Sequence, residues 1–354
     1  MGYRKMKKMR IGYWPISTSM KSAGDRRRLL FWAQIRGHEV VTDLSQKVDV
    51  IVASEMADFN SIVLRKSRAP VIFDLVDAYL SPRNPYEDFA RGVAKSVTGQ
   101  ISGKIRPFSH HVSDFCAISK AVICSSIEQG ALIQPHNLNT HIILDSHEEI
   151  PFVEFGDPFG KQGYRILWEG QPATIGGIGL ISTAITKLAQ TNNLSMSFVT
   201  DEMYFEIMNR FSRRSTVALL KNHLGTLANY AKVIPWSPAN LVSSAMLSNI
   251  AIIPIDTSVP IQRLKPENRL LIMWRLGLPC LTSDSPAYVR VSTEVETITV
   301  CRNLDEWYQN AVRLLSDPDL ARIQVTKGQD YLRQTHSKES LLKKWDLAFD
   351  SVMG

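Results

Sequence analysis

Lys265, Asn268 and Arg269 stand just before an apolar helical pattern, and that stretch is the most informative in the chain. Residues 250–255 read as a buried strand that ends at Asp256. A polar loop follows, a helix is expected from near Pro266, and Gly277 stops it before the next strand, residues 279–282, which runs into Ser283. The first amide N–H groups of a helix have no intrahelical acceptor and form the positive end of its dipole. At the carboxyl edge of a parallel sheet such a pole binds anions. A lysine, an arginine and a carboxamide beside it suit a diphosphate, at ~1.5–3 kcal/mol per charge-assisted hydrogen bond. A capped helix with solvated charges would use the same residue types, so the surrounding elements must decide.

Those elements form a regular series. Short Val/Ile-rich strands alternate with helical segments, the pattern of parallel sheets built from βαβ units, so the fold class is α/β. Strands are expected at residues 10–14, 38–42, 48–53, 71–75, 121–125 and 140–144, with one helix over 25–36 stopped by Gly37. The stretch 148–163 is rich in Gly and Pro, lacks apolar periodicity and is expected to be a linker. A second series follows at 164–168, 196–200, 231–234, 250–255, 279–282 and 296–300. The 354 residues thus divide into a basic extension (1–9), a Rossmann-like domain (10–155), a second one (156–336) and a closing helix (337–354).

The net charge of +7 is local: Arg4, Lys5, Lys7, Lys8 and Arg10 supply five of the seven. The rest is close to neutral, which argues against an extended phosphate track and against a nucleic-acid partner. No apolar run approaches the ~18 residues of a membrane span, and the basic start leads into Ile11, Gly12 and Tyr13 rather than a signal core, so a cytoplasmic protein is expected. From Tyr86 to Phe108, Phe89, Val93, Val97, Ile101 and Ile105 recur every four residues among Arg91, Lys95, Lys104 and Arg106. This reads as one basic amphipathic helix, packed on its own domain or offered to a membrane-proximal acceptor; the basic segments make peripheral membrane contact an expectation. Cys116, Cys124, Cys280 and Cys301 form no C-x-x-C pair and are expected to be buried reduced thiols.

The stretch from Asn268 to Pro279 closely resembles the second domain of GT-B glycosyltransferases of the group 1, family 4 kind, with its Asn-Arg-Leu-Leu helix start and Trp-x-x-Gly-x-Pro turn. Three further stretches resemble that family in the same order: Arg36-Gly37-His38-Glu39-Val40, Val122-Ile123-Cys124-Ser125-Ser126 and Ile166-Leu167-Trp168-Glu169-Gly170. The resemblance implies two Rossmann-like domains facing across a cleft that closes on donor binding, with the last helix, about 338–352, returning to the first domain. It implies a nucleoside-diphosphate sugar as donor substrate, held mainly by the second domain, and a glycan, lipid-linked or small-molecule acceptor on the first. The donor set it suggests is Gly170, Trp236, Asp256, Lys265, Asn268, Arg269 and Ser283, with Trp236 stacking on the base at ~1–3 kcal/mol. A core tryptophan is the other reading of Trp236.

The chain departs from the family in two places. The Glu-x7-Glu motif is absent, with Ile272 and Leu264 at its positions, which leaves the stereochemistry open. Between Gly170 and Gly179 there is no Arg or Lys, only backbone and Thr174, so diphosphate neutralisation is expected from Lys265, Arg269 and helix poles. An inverting reaction needs a first-domain base at a strand's carboxyl end. Asp25, Asp74, Asp77 and His147 meet that placement; Asp77, just beyond the strand 71–75, is preferred, and Asp25 reads equally as part of a helix cap. His38 reads as structural. Asp317-Pro318-Asp319 reads as a turn and helix cap, and no metal or cofactor is expected. G-x-S-x-G, H-E-x-x-H and P-loop patterns are missing. A non-catalytic nucleotide-sugar binder and a nucleotide-sugar epimerase of the same architecture are the alternatives.

Overall fold

The computed structural model describes residues 7–156, 163–191, 193–207 and 211–354, so the first six residues and positions 157–162 of the expected linker lie outside the described residues. The chain forms two compact units. One holds the residues up to Ser146 together with Leu264–Pro266 and Ser337–Gly354; the other holds His147–Arg263 and Glu267–His336.

The first unit is built on six parallel strands, β1 (Arg10–Trp14), β2 (Glu39–Val41), β3 (Val50–Ser54), β4 (Val71–Leu75), β5 (Ala121–Cys124) and β6 (Thr140–Ile142), in spatial order β2-β1-β3-β4-β5-β6. Its connections carry α1 (Ala23–Arg26), α2 (Leu29–Arg36), α3 (Ile62–Arg65), α4 (Pro85–Val97), α5 (Phe108–Ile118) and α6 (Ile127–Ile133). Both faces are covered, which is why the strands read as unbroken apolar runs. Val50, Val52 and Ile72 pack on one face with Trp32 and with Trp345 and Phe349 of the C-terminal helix, Lys338–Met353. Ile51, Ala53, Phe73 and Leu75 pack on the other with Phe59, Phe108 and Phe115. The Trp32 ring lies 4.1 Å from that of Phe349 and bonds through Nε1 to Asp346 at 2.8 Å.

Two helices differ from expectation. The segment 25–36 is two helices, because the backbone turns at Arg28 (φ −116°, ψ −112°) and sends its side chain into the interior. There Arg28 bonds Asp74, the Ile143 carbonyl (2.8 Å) and Asp145 (3.2 Å), with Asp74 Oδ1 at 2.5 Å from Nη2. The amphipathic segment 86–108 is also divided. Asn84 caps α4, with Pro85 at its first position, and the helix ends before Gly99, which adopts φ +71°. The apolar repeat is therefore split: Tyr86, Phe89 and Val97 of α4 are exposed, while Ile101 is buried in the loop beyond.

The second unit opens with β7 (Tyr164–Glu169), α7 (Gly176–Leu180), α8 (Ser182–Thr191), β8 (Leu194–Thr200), β9 (Met203–Ile207), β10 (Phe211–Ser215) and α9 (Thr216–Leu224). It continues with β11 (Ala231–Pro235), α10 (Pro238–Met246), β12 (Ile250–Ile253), α11 (Pro260–Arg263), α12 (Asn268–Arg275), β13 (Cys280–Ser283), α13 (Pro286–Val295), β14 (Val300–Cys301), α14 (Leu304–Ser316) and α15 (Pro318–Thr335). Six strands form a parallel sheet in the order β11-β8-β7-β12-β13-β14, and β9 pairs with β10 as an antiparallel ribbon that the periodicity did not indicate. The stretch after Ser146 is not a loose linker at its start. Arg275 Nη2 bonds Glu148 at 3.0 Å, its Nε donates to the Ile150 carbonyl, and Gln329 Nε2 bonds the Val153 carbonyl at 2.8 Å.

All four cysteines are buried and unpaired, and burial pushes the Cys116, Cys124 and Cys301 thiols up to about 12. Among the described residues no helix is long and apolar enough to cross a membrane.

Candidate active site

In the second unit, the parallel strands bring Glu169, Thr200, Pro235 and Ser283 to one carboxyl edge, and α12 starts there with Asn268. Glu169, at the end of β7, organises the edge. Its Oε1 accepts a hydrogen bond from Trp236 Nε1 at 3.0 Å, and its Oε2 faces Arg269 Nε at 3.7 Å. Arg269 Nη2 donates to the Glu169 carbonyl, and its guanidinium covers the buried Trp168 ring at 5.1 Å. The space beneath it is tight. A Cβ at Gly170 would stand 3.2 Å from Arg269 Cζ and 3.1 Å from both Trp168 and Thr174 Oγ1. The first turn of α12 thus lays a cation across the loop after β7, which has no Arg or Lys of its own.

Several polar atoms at this edge are buried without a hydrogen-bond partner among the described residues: Thr200 Oγ1, Thr282 Oγ1, Ser285 Oγ and Asn268 Oδ1. Such groups are costly unless something pairs with them. Ser283 is partly committed, since its Oγ accepts the Ile255 amide at 2.8 Å. Asp256 turns its own loop, accepting the Ser258 amide at 3.0 Å and hydroxyl at 2.5 Å. Trp236 is half-buried rather than a core residue, and its indole N–H fixes it at the edge.

In the first unit, the carboxyl ends of β3, β4 and β5 lead to Glu55, Asp77 and Ser125. Asp77 is positioned through its backbone: its amide donates to Glu55 Oε2 at 2.9 Å, and its carbonyl accepts Gln129 Nε2 at 3.0 Å. Its carboxylate is paired with Lys265 at 2.5 Å. Lys265 belongs to this unit with Leu264 and Pro266, and its pairing with Asp77 is a contact that the sequence did not indicate. Glu55 is buried, and burial, reinforced by Asp77, raises its carboxyl to about 8.

The other sequence candidates have structural duties. Asp25 is fully buried and takes five hydrogen bonds, from Tyr13 Oη, the Ile16 and Ser17 amides, and the Ser17 and Ser22 hydroxyls, at 2.6–3.0 Å. Ser22 caps α1 and accepts the Asp25 amide at 3.2 Å, so Asp25 completes a helix cap. Asp74 is consumed by Arg28. His147 is buried in the second unit. Asp317 caps α15 through the Leu320 amide at 2.9 Å. Sequence reasoning missed Glu55, Gln129 and Glu169. The rule that selected Asp77, an acid just past a buried strand, applies equally to Glu55 and Glu169.

No family model matches the chain, and no curated protein matches it. Solved structures do. WaaG, described as a glycosyltransferase involved in lipopolysaccharide biosynthesis, superposes with a TM-score of 0.58 at 13% identity, covering 98% of this chain and 99% of its own. A glycosyltransferase from Rickettsia africae ESF-5 gives the same TM-score, identity and coverage. TarM gives 0.59 at 10% identity over 85% of this chain, which spans about half of TarM's length (54%). A TarM variant from S. aureus was solved with fondaparinux, alpha-GlcNAc-glycerol and UDP. With its two parallel α/β sheets and these neighbours, the chain has the GT-B fold.

Proposed function

We propose that this chain is a glycosyltransferase that moves a sugar from a nucleoside-diphosphate sugar to a hydroxyl of a glycan, lipid-linked or small-molecule acceptor, without a metal ion. The observation that carries the reading is Arg269 laid over the Gly170 loop, beside Trp236 and the partnerless hydroxyls of Thr200 and Thr282. A cation, an aromatic face and spare hydrogen-bonding groups at one sheet edge suit a phosphate, a base and a ribose or sugar. The UDP in the TarM complex supports a nucleoside diphosphate as the leaving group. Catalysis would come from positioning and from stabilising that departing diphosphate. Asp77, with Lys265 balancing its charge, is the proposed proton acceptor on the first unit. The exposed Tyr86, Phe89 and Val97 of α4, with Arg91 on the same helix, favour a lipid-linked acceptor and peripheral membrane contact.

Thermal-shift screening against a panel of nucleoside diphosphates tests the reading, because a ligand raises stability in proportion to RT ln(1 + [L]/Kd). One diphosphate is expected to stabilise the chain, and the matching sugar donor to be hydrolysed slowly in EDTA, releasing that diphosphate. No stabilisation by any member of the panel would overturn the proposal. Tight binding without release would favour a binding protein, and conversion of the sugar without acceptor an epimerase.

A further inference from the structure

The first unit has a cavity of about 380 Å³ on the side of its sheet away from Asp77, where Val71 opens β4 and Lys120 directly precedes β5. Its floor is apolar, from Leu64 and Phe115. Ile118, at the end of α5, and Val352, of the C-terminal helix, form walls. Around it stand Arg65, Arg68 and Lys120, and among the described residues no Asp or Glu lines it. Arg65 is steadied by neutral acceptors, the Phe59 carbonyl at 3.1 Å and Asn60 Oδ1 at 2.9 Å. The exposed side chains of Arg68 and Lys120 have no carboxylate partner among the described residues. The turn that presents Arg68 is held by Ser67, whose Oγ accepts the Ala69 amide at 3.1 Å.

Three cations around one small space repel one another, and no acid among the described residues that line it relieves them. An anion would do so, and the Arg68 fork with the Lys120 ammonium and the remaining Arg65 donors match the several oxygens of a phosphate better than a single carboxylate. The apolar floor of Leu64 and Phe115 adds a place for a hydrocarbon portion. We propose that this cavity binds a phosphate monoester carried on a short apolar body, at a site separate from the sheet edge that holds Asp77. Such a ligand would join the turn at Arg68 to the C-terminal helix through Val352.

The full chain with Ile, Leu and Val methyl labels, titrated with n-butyl phosphate, gives the test. The methyls of Leu64, Val71, Ile118 and Val352 are expected to shift saturably. n-Butanol and inorganic phosphate should each bind at least about tenfold more weakly, since each lacks one half of the recognition. Arg68→Ala/Lys120→Ala replaces two exposed side chains, so folding is preserved, and should weaken binding at least about tenfold. Silence of those four methyls, shifts confined to Ile253, Ile255 and Leu271 of the second unit, or unchanged affinity in the double variant would overturn the proposal. Once the shifts are seen, cosedimentation with phosphatidylcholine vesicles with and without dodecyl phosphate separates the sources. Retention that the double variant loses assigns the ligand to a membrane, and no retention assigns it to the soluble pool.

Discussion

At the carboxyl edge of the first sheet, Asp25 takes five hydrogen bonds and Asp74 is held by Arg28, whereas at the second sheet's edge Thr200, Thr282 and Ser285 keep buried hydroxyls with no partner among the described residues. The same architectural position has been used in two ways. In the first unit Asp25 holds the loop and helix cap after β1 and Asp74 holds Arg28, while Glu55 and Asp77 lie just beyond β3 and β4. In the second unit Glu169 is the hub of the edge, while Thr200, Thr282, Ser285 and Asn268 keep buried polar atoms without a partner among the described residues. Buried polar groups that the fold does not satisfy are the ones a ligand can satisfy. The second edge is therefore the better candidate for tight ligand recognition, and the first for placing a reacting group.

That contrast can be broken most severely at Arg28. Arg28→Ala leaves Asp74 buried without its partner and should cost about 3–5 kcal/mol in urea unfolding. A loss below about 1 kcal/mol would mean that the first edge is not held by its ion pairs. Asp77→Asn is next: turnover should fall about 100-fold while the Kd for the nucleoside diphosphate stays unchanged. An equal loss in both quantities would erase the division between the edges. Arg269→Ala should weaken the diphosphate about 10–100-fold, read by calorimetry. Lys265→Ala sharpens the comparison, because its ammonium sits on Asp77 and the diphosphate Kd should move by less than about threefold.

A pH-dependent effect concerns Glu55, whose carboxyl is raised to about 8 by burial and by Asp77. A carboxyl that binds its proton more tightly when folded costs stability as pH rises from the unfolded value, near 4.5, toward 8. Glu55→Gln removes that cost. Its stability relative to the parent should be equal near pH 4 and greater by about 1–3 kcal/mol at pH 9, measured by denaturation across that range. An advantage that shrinks with rising pH would refute the burial argument.

How far the sequence could be read follows from where each signal resides. β1 and β4 fall at the expected residues, because a strand covered on both faces must be apolar throughout and is bounded by polar neighbours. The break before α2 was hidden: Arg28 looks like one of three successive surface arginines, and only Asp74 and Asp145, far along the chain, make it an interior residue. The β9–β10 ribbon escaped because its strands lie outside the parallel sheet and lack the dense Val/Ile runs. The site was legible in part. Arg269 and Trp236 could be chosen from their places after strands or at a helix start, but their common partner Glu169 is 100 and 67 positions away in sequence. The sequence marks Lys265 as a candidate cation but not as the companion of Asp77, a pairing that spans 188 positions.

The C-terminal helix has a consequence for how the molecule is made. Trp32 of the first unit packs against Trp345 and Phe349, yet the whole second unit is encoded between them. At ~5–20 residues per second, a ribosome would extrude the intervening chain for roughly tens of seconds before those rings arrive. During that interval the first unit exposes a greasy face that its own nascent sequence cannot cover. A holding chaperone would have its natural client there, and slow codons placed late in the message would lengthen the exposure.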